Sequence, residues 1–125
     1  MKLKISVLLL SATLALSGCA GGIVGSMQDA RAKGPLVSLH SDKSPEAVAG
    51  CIAPAWSAMQ HNLDSYEAVA QPRAEGGFTV KTLRLPDAAD VYRSKGVTKV
   101  DYFNIATDQE QKWPRNRIAA IKGCL

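Results

Sequence analysis

The chain has 125 residues, of which 15 are Lys or Arg and 11 are Asp or Glu, so its formal net charge is +4. This length is enough for one small domain with a hydrophobic core. The surplus of basic residues is too small and too scattered to indicate a nucleic-acid partner.

The first 18 residues have the pattern of an export signal. Lys2 and Lys4 give a positively charged start, and residues 5–16 form an apolar run of about a dozen residues, whereas a membrane-spanning helix needs about 20. A charged start, a short apolar core and small residues before the cleavage site are typical of a signal peptide that is removed. Residues 1–18 are therefore predicted to be cleaved.

The apolar run ends in Leu16-Ser17-Gly18-Cys19, which resembles the lipobox of bacterial lipoproteins. The resemblance implies a diacylglycerol linked through a thioether to Cys19, cleavage before this residue and an acyl chain on the new amino group. No other cofactor is expected. Two or three long acyl chains hold a protein stably on a bilayer, at roughly 0.8 kcal/mol for each buried methylene. The alternative is a plain secreted protein in which Cys19 is incidental.

Sorting of such lipoproteins depends on the residue after the cysteine, where aspartate favours the inner membrane. Ala20 stands there, so the resemblance implies an outer-membrane anchor facing the periplasm. Cleavage also removes Lys2 and Lys4, which lowers the basic count from 15 to 13 against 11 acidic residues. The expected partner is thus the lipid bilayer, through the anchor, and not nucleic acid.

Two further cysteines, Cys51 and Cys124, remain in an oxidising compartment. An even pair in such a compartment is expected to form a disulfide. The alternative is two buried free thiols. Neither a CxxC redox motif nor a metal-ligand spacing is present.

Residues 19–43 are predicted to form a flexible tether, because glycines recur among solvated polar residues. Residues 36–39 within it could form a brief edge strand or lie on the domain. The globular domain is predicted to cover residues 44–125. It opens with a helix that has Ser44 as N-cap and Pro45 at its first position, with Cys51 on its apolar face.

Short strands are predicted over residues 66–70, 78–85, 89–93 and 97–105. The polar turns between them favour antiparallel pairing, and apolar residues on both faces of the last strand favour a central position. A helix over residues 114–122 closes the chain, with Arg115, Arg117 and Lys122 in solvent. The predicted fold class is α+β: an antiparallel sheet of three or four strands, with an N-terminal and a C-terminal helix on one face.

No catalytic residue is predicted. His61 and Asp64 are three positions apart, but no nucleophile-elbow pattern accompanies them. Zinc binding by His40 and His61 with Asp42 or Asp64 lacks the usual ligand spacing, so no metal site is predicted.

A binding surface is predicted on the sheet face that the two helices leave open. Its candidate residues are Tyr92, Tyr102 and Phe103. The other candidate contact residues, Trp113, Arg115 and Arg117 at the closing helix, could meet lipid headgroups or an acidic envelope polymer, with a solvated helix face as the alternative. The expected function is that of a binding or structural module on a membrane anchor, with an unknown envelope protein or a second copy as partner. The alternatives are an envelope enzyme acting near the membrane and a prophage-type superinfection-exclusion lipoprotein.

Overall fold

The computed structural model describes residues 20–61, 64–83, 85–105 and 112–125. The predicted signal peptide and Cys19 lie outside these residues. The described helices are α1 (Ala20–Lys33), α2 (Pro45–Ser57) and α3 (Lys112–Lys122). The described strands are β1 (Val37–Ser41), β2 (Gln60–His61), β3 (Asp64–Ser65), β4 (Ala68–Pro72), β5 (Phe78–Thr82), β6 (Asp87–Ser94) and β7 (Val97–Asn104).

Five strands form one antiparallel sheet in the order β1-β7-β6-β5-β4, while β2 and β3 form a separate short pair. The α+β class is confirmed, with one strand more than the upper number predicted. The additional strand is β1, which pairs with β7 over its whole length. The strand predicted to be central, β7, indeed lies between two others.

Helices α2 and α3 cover one face of the sheet, as predicted. The hydroxyl oxygen of Ser44 caps α2 by accepting a hydrogen bond from the N–H of Ala47 at 3.1 Å. Apolar side chains recur along α2 at helical spacing, so they are buried on one face of it: Val48, Ala49, Ile52 and Trp56. Ile121 of α3 belongs to the same core cluster.

The Cys51–Cys124 disulfide is present and joins α2 to the turn after α3. Cys124 is buried. Cys51, which was predicted to lie on the buried apolar face of α2, is instead exposed. The reason is the helical phase of α2, which turns Ile52 toward the sheet and its neighbour Cys51 toward solvent.

Helix α1 covers part of the opposite face of the sheet, called here the second face. Met27 and Ala30 of α1 form a buried cluster with Ala88 of β6 and Phe103 of β7. The segment predicted as a flexible tether therefore contains a docked helix and the strand β1, where an edge strand was one of two alternatives. The start of the folded domain lies before Ser44, because β1 supplies backbone partners to β7.

Candidate functional site

A buried ion pair lies between α3 and the start of β6. The Arg117 and Asp87 side chains are both 0% exposed, and Arg117 Nε donates to Asp87 Oδ2 at 2.8 Å. Arg117 Nη2 donates to Asp87 Oδ1 at 2.9 Å and to the Thr82 hydroxyl at 2.8 Å. This two-pronged geometry is the strong form of a guanidinium–carboxylate contact.

Tyrosine and tryptophan side chains complete this buried network. The Tyr102 hydroxyl donates to Asp87 Oδ2 at 2.8 Å, and burial together with the Asp87 charge raises the pKa of Tyr102. The Arg117 guanidinium lies 3.6 Å from the centroid of the Trp56 ring and 4.9 Å from that of Trp113. Arg117 Nη1 has no hydrogen-bond acceptor among the described residues. Cation–π attraction to these rings offsets part of the cost of burying it.

The buried network is closed to solvent, so a substrate cannot reach its charged groups. A buried pair of this kind is weak evidence for net stability, but removal of one partner leaves the other charge uncompensated. The network therefore holds α3 against the sheet and takes no part in binding at the surface.

The predicted contact surface does not exist as one surface. Arg117 and Tyr102 are fully buried, and Phe103 is buried under α1. Arg117 was predicted to lie in solvent because of its charge. Its burial could have been inferred from its position on the apolar stripe of α3, four residues after Trp113 and four before Ile121.

The other three residues of the predicted surface are separated. Tyr92 is half-buried on the second face, Trp113 is half-buried against Arg117, and Arg115 is exposed on α3. Of these three, only Tyr92 lies on the second face, because Trp113 and Arg115 belong to α3, which packs on the other face.

A row of polar side chains crosses the second face. The register places Thr79 of β5 opposite Asp90 of β6, Asp90 opposite Asp101 of β7, and Asp101 opposite Ser38 of β1. Like charges directly opposite one another destabilise a sheet, so Asp90 and Asp101 each need partners. Sequence reasoning missed this row because strand register is not readable from one sequence.

Each carboxylate of the row is bonded separately. Asp90 accepts hydrogen bonds from Arg31 of α1 at 3.1 and 3.3 Å and from the Thr79 hydroxyl at 2.7 Å. Asp101 accepts from the hydroxyls of Ser38 at 2.5 Å and Tyr92 at 2.6 Å. Burial and the hydrogen bond to Asp101 raise the pKa of Tyr92 to about 12, which keeps its phenol protonated.

An open pocket of about 410 Å³, called here the α1 pocket, lies between α1 and strands β4 to β6. Its lining residues come from α1, the strands and the loop after β4: Met27, Arg31, Gln71, Pro72, Arg73, Glu75, Thr79, Lys81 and Asp90. Arg31 and Thr79 both donate to Asp90, so this wall of the pocket is preorganised before any ligand arrives.

Two groups in the α1 pocket remain available for a ligand. Lys81 is half-buried and, among the described residues, has no carboxylate within 4.0 Å of its ammonium group. Gln71 is exposed, and the structure shows no hydrogen bond from its side chain to the described residues. With Asp90 neutralised by Arg31, Lys81 and Gln71 favour an anionic or amide-containing partner.

Within the described parts of the chain, no group of three or more His, Cys, Asp or Glu residues could hold a metal ion. None of the described helices is long and apolar enough to cross a bilayer. His40 lies in β1, opposite Lys99 of β7.

No family model matches this chain, and no significant match was found among curated proteins or among solved structures.

Proposed function

We propose that this protein is a membrane-anchored envelope lipoprotein whose small domain acts as a binding module. The anchor is the acylated Cys19, and the compartment is the periplasmic face of the outer membrane. The observation that carries the binding role is the α1 pocket, which combines a preorganised ion pair with Lys81, a lysine that has no carboxylate partner among the described residues.

The position of α1 in the chain links this pocket to the anchor. Met27 packs on the second face and stands eight residues after Cys19, which corresponds to ~12 Å of helix. An acyl chain on Cys19 would therefore hold the α1 pocket near the bilayer surface. A partner bound there would be an envelope component close to the membrane.

The anchor is tested by the Cys19→Ser variant. The parent chain is expected in the membrane fraction, and the variant in the soluble fraction. Intact mass of the membrane-extracted parent should show a chain that begins at residue 19 and carries acyl chains. A variant that fractionates like the parent, or a parent that retains Met1, would contradict the anchor.

The pocket is tested by photo-crosslinking in intact cells. A photoreactive residue at Gln71, which lines the pocket, is compared with one at Lys122, which is exposed on α3. A discrete adduct is expected from position 71 and not from position 122. Lys81→Ala should lower its yield about tenfold, as loss of a charged contact does, while Lys95→Ala in the exposed β6–β7 turn should not. Equal labelling from both positions would contradict a site at α1.

A further inference from the structure

The sheet has two edge strands, β1 and β4. An edge strand presents unpaired backbone groups that can pair with another chain, and proteins usually protect such edges with charges, prolines or coverage by other elements. The two edges of this sheet differ in this respect, and the difference follows from the hydrogen-bonding phase of the strands.

The phase is set by the two-residue turn between β6 and β7. Lys95 and Gly96 occupy this turn with φ values of 52° and 83°. In such a two-residue hairpin turn the flanking residues, Ser94 and Val97, form a hydrogen-bonded pair. Hydrogen-bonded pairs alternate along an antiparallel ladder. Since Val97 bonds to β6, the β7 residues that turn their backbone groups toward β1 are Thr98, Val100 and Tyr102. Their partners there are Val37, Leu39 and Ser41.

It follows that the residues between them, Ser38 and His40, direct both their N–H and their C=O groups away from the sheet. Leu36, just before the strand, departs from this alternation, since its N–H donates to the carbonyl of Tyr102, at 2.8 Å. Both Ser38 and His40 are exposed. None of the described residues forms a hydrogen bond with their outward backbone groups.

The β4 edge is closed by contrast. The bond from Arg73 N–H to the Gly77 carbonyl, at 3.0 Å, sets its phase, so Ala68, Ala70 and Pro72 face outward. The Ser57 hydroxyl bonds both the N–H and the C=O of Ala68, at 2.8 and 3.3 Å. Pro72 has no N–H. Among the residues that the structure describes, only Ala70 keeps both outward groups unpaired, which is too little for a ladder.

Within the part of the chain that the structure describes, the β1 edge has none of these protections. Residues 35–41 contain no Asp, Glu, Lys or Arg, and the strand Val37–Ser41 contains no proline. Val37 and Leu39 point toward the core but are only half-buried, so apolar surface remains uncovered along this edge. Short, uncharged and β-prone segments of this kind are suited to pairing with another strand.

We propose that β1 pairs antiparallel with β1 of a second copy of this chain, about a two-fold axis at Leu39. Ser38 then lies opposite His40 of the other copy, and each of the two such pairs exchanges two N–H···O=C bonds. The two five-stranded sheets become one continuous sheet. The interface is self-complementary, as a two-fold interface requires.

The direction of the axis favours a second copy over another extended segment. A two-fold axis perpendicular to the sheet leaves both second faces, and hence both α1 helices, on the same side of the dimer. Both chain starts then point to one side, where two anchors can enter one membrane. The preference for a second copy rests on the proposed anchor, whereas the dimer does not use the α1 pocket and is therefore independent of the proposed binding role.

The test is disulfide trapping of the full chain in native membranes. Leu39→Cys places two thiols next to each other across the axis, in a non-hydrogen-bonded pair where side chains are closest. Ala70→Cys on the closed β4 edge is the matched control. Leu39→Cys is expected to give a covalent dimer joined 39 to 39 by peptide mapping, and Ala70→Cys is expected to remain monomeric.

Two further changes in the Leu39→Cys chain probe the edge itself. His40→Pro removes an outward N–H that β1 does not use within its own sheet, and His40→Lys adds a charge to the edge. Each should lower the dimer yield at least about fivefold, with the thermal unfolding midpoint of each variant showing that the domain stays folded. Equal dimer from positions 39 and 70, absence of the 39–39 bond, or a yield that neither His40 change lowers would overturn the proposal.

Discussion

The guanidinium of Arg117 sits between the Trp56 and Trp113 rings and is bonded to Asp87, with no exposure to solvent. Two kinds of interaction therefore meet at one residue. The hydrogen bonds tie Arg117 to β6, and the contact with the Trp56 ring ties it to α2. An apolar side chain of similar length would still pack against the rings but would lose the hydrogen bonds and the positive charge.

The Arg117→Met variant keeps the packing of a long side chain and removes the hydrogen bonds and the charge. It leaves the Asp87 carboxylate buried without a cation, so the free energy of unfolding should fall by about 3–5 kcal/mol. Arg115→Met, two positions away on the same helix, is exposed and should change it by less than about 0.5 kcal/mol. Urea unfolding of residues 20–125 gives both values.

Adding Asp87→Asn to Arg117→Met supplies the control. Asparagine removes the uncompensated charge but still accepts a hydrogen bond from Tyr102, so part of the lost stability should return. If Arg117→Met is as stable as Arg115→Met, the ion pair does not hold α3 to the sheet.

The sequence gives little indication of the buried network around Arg117. A single basic residue on a helix is usually solvated, and the partner of Arg117 lies 30 positions earlier in the chain. The hints are local: Arg117 shares the apolar stripe of α3, and Asp87 shares a strand face with Ala89 and Val91. Recognising the pair requires knowing that α3 crosses the start of β6.

Helices and strands were more predictable from the sequence than the contacts of individual residues. The cap and periodic apolar face of α2 are local patterns, and the turns between strands are marked by glycine and polar residues. Strand β6 is longer than predicted and β7 ends at a different residue, because the ends of a strand depend on its partner strands. Helix α1 has glycines in its first turns and no strong apolar periodicity, so composition favoured a flexible segment where the structure has a helix docked through Met27 and Ala30.

The disulfide between α2 and the C-terminal turn is an element-scale constraint. It closes a loop of 73 residues in sequence separation, for which the chain-entropy model gives roughly 4 kcal/mol. Reduction of residues 20–125 should therefore lower the free energy of unfolding by about 4 kcal/mol. Urea unfolding with and without reductant measures this.

The paired Cys51→Ser and Cys124→Ser replacement is the control, because it should match the reduced chain and no longer respond to reductant. An unchanged midpoint on reduction of the parent would mean that the unfolded chain is already constrained, or that the bond is strained when folded.

The extent of the folded unit is a property of the whole molecule. A domain starting at residue 44 looks complete from the sequence, since it opens on a well-marked helix. The structure adds β1 from the preceding segment, which hydrogen-bonds to β7 and contributes Leu36, Val37 and Leu39 to the edge of the core. Long-range pairing of this kind leaves no local mark apart from a short apolar run.

Shortened chains test this boundary. A chain of residues 34–125 lacks α1 but keeps β1, so Phe103 and Asp90 lose their cover and its stability should be about 1–3 kcal/mol below that of residues 20–125. A chain of residues 44–125 also leaves three residues of β7 without partners: Thr98, Val100 and Tyr102.

For this shorter chain the lost ladder bonds and apolar burial amount to about 3–9 kcal/mol, comparable with the total stability of about 5–15 kcal/mol typical of a domain. Residues 44–125 should therefore lose cooperative unfolding, while residues 34–125 keep it. Thermal unfolding followed by circular dichroism distinguishes the two chains. If residues 44–125 unfold as cooperatively as residues 34–125, β1 is an accessory strand, and the edge at Ser38 and His40 would not be rigid enough to hold a second copy in register.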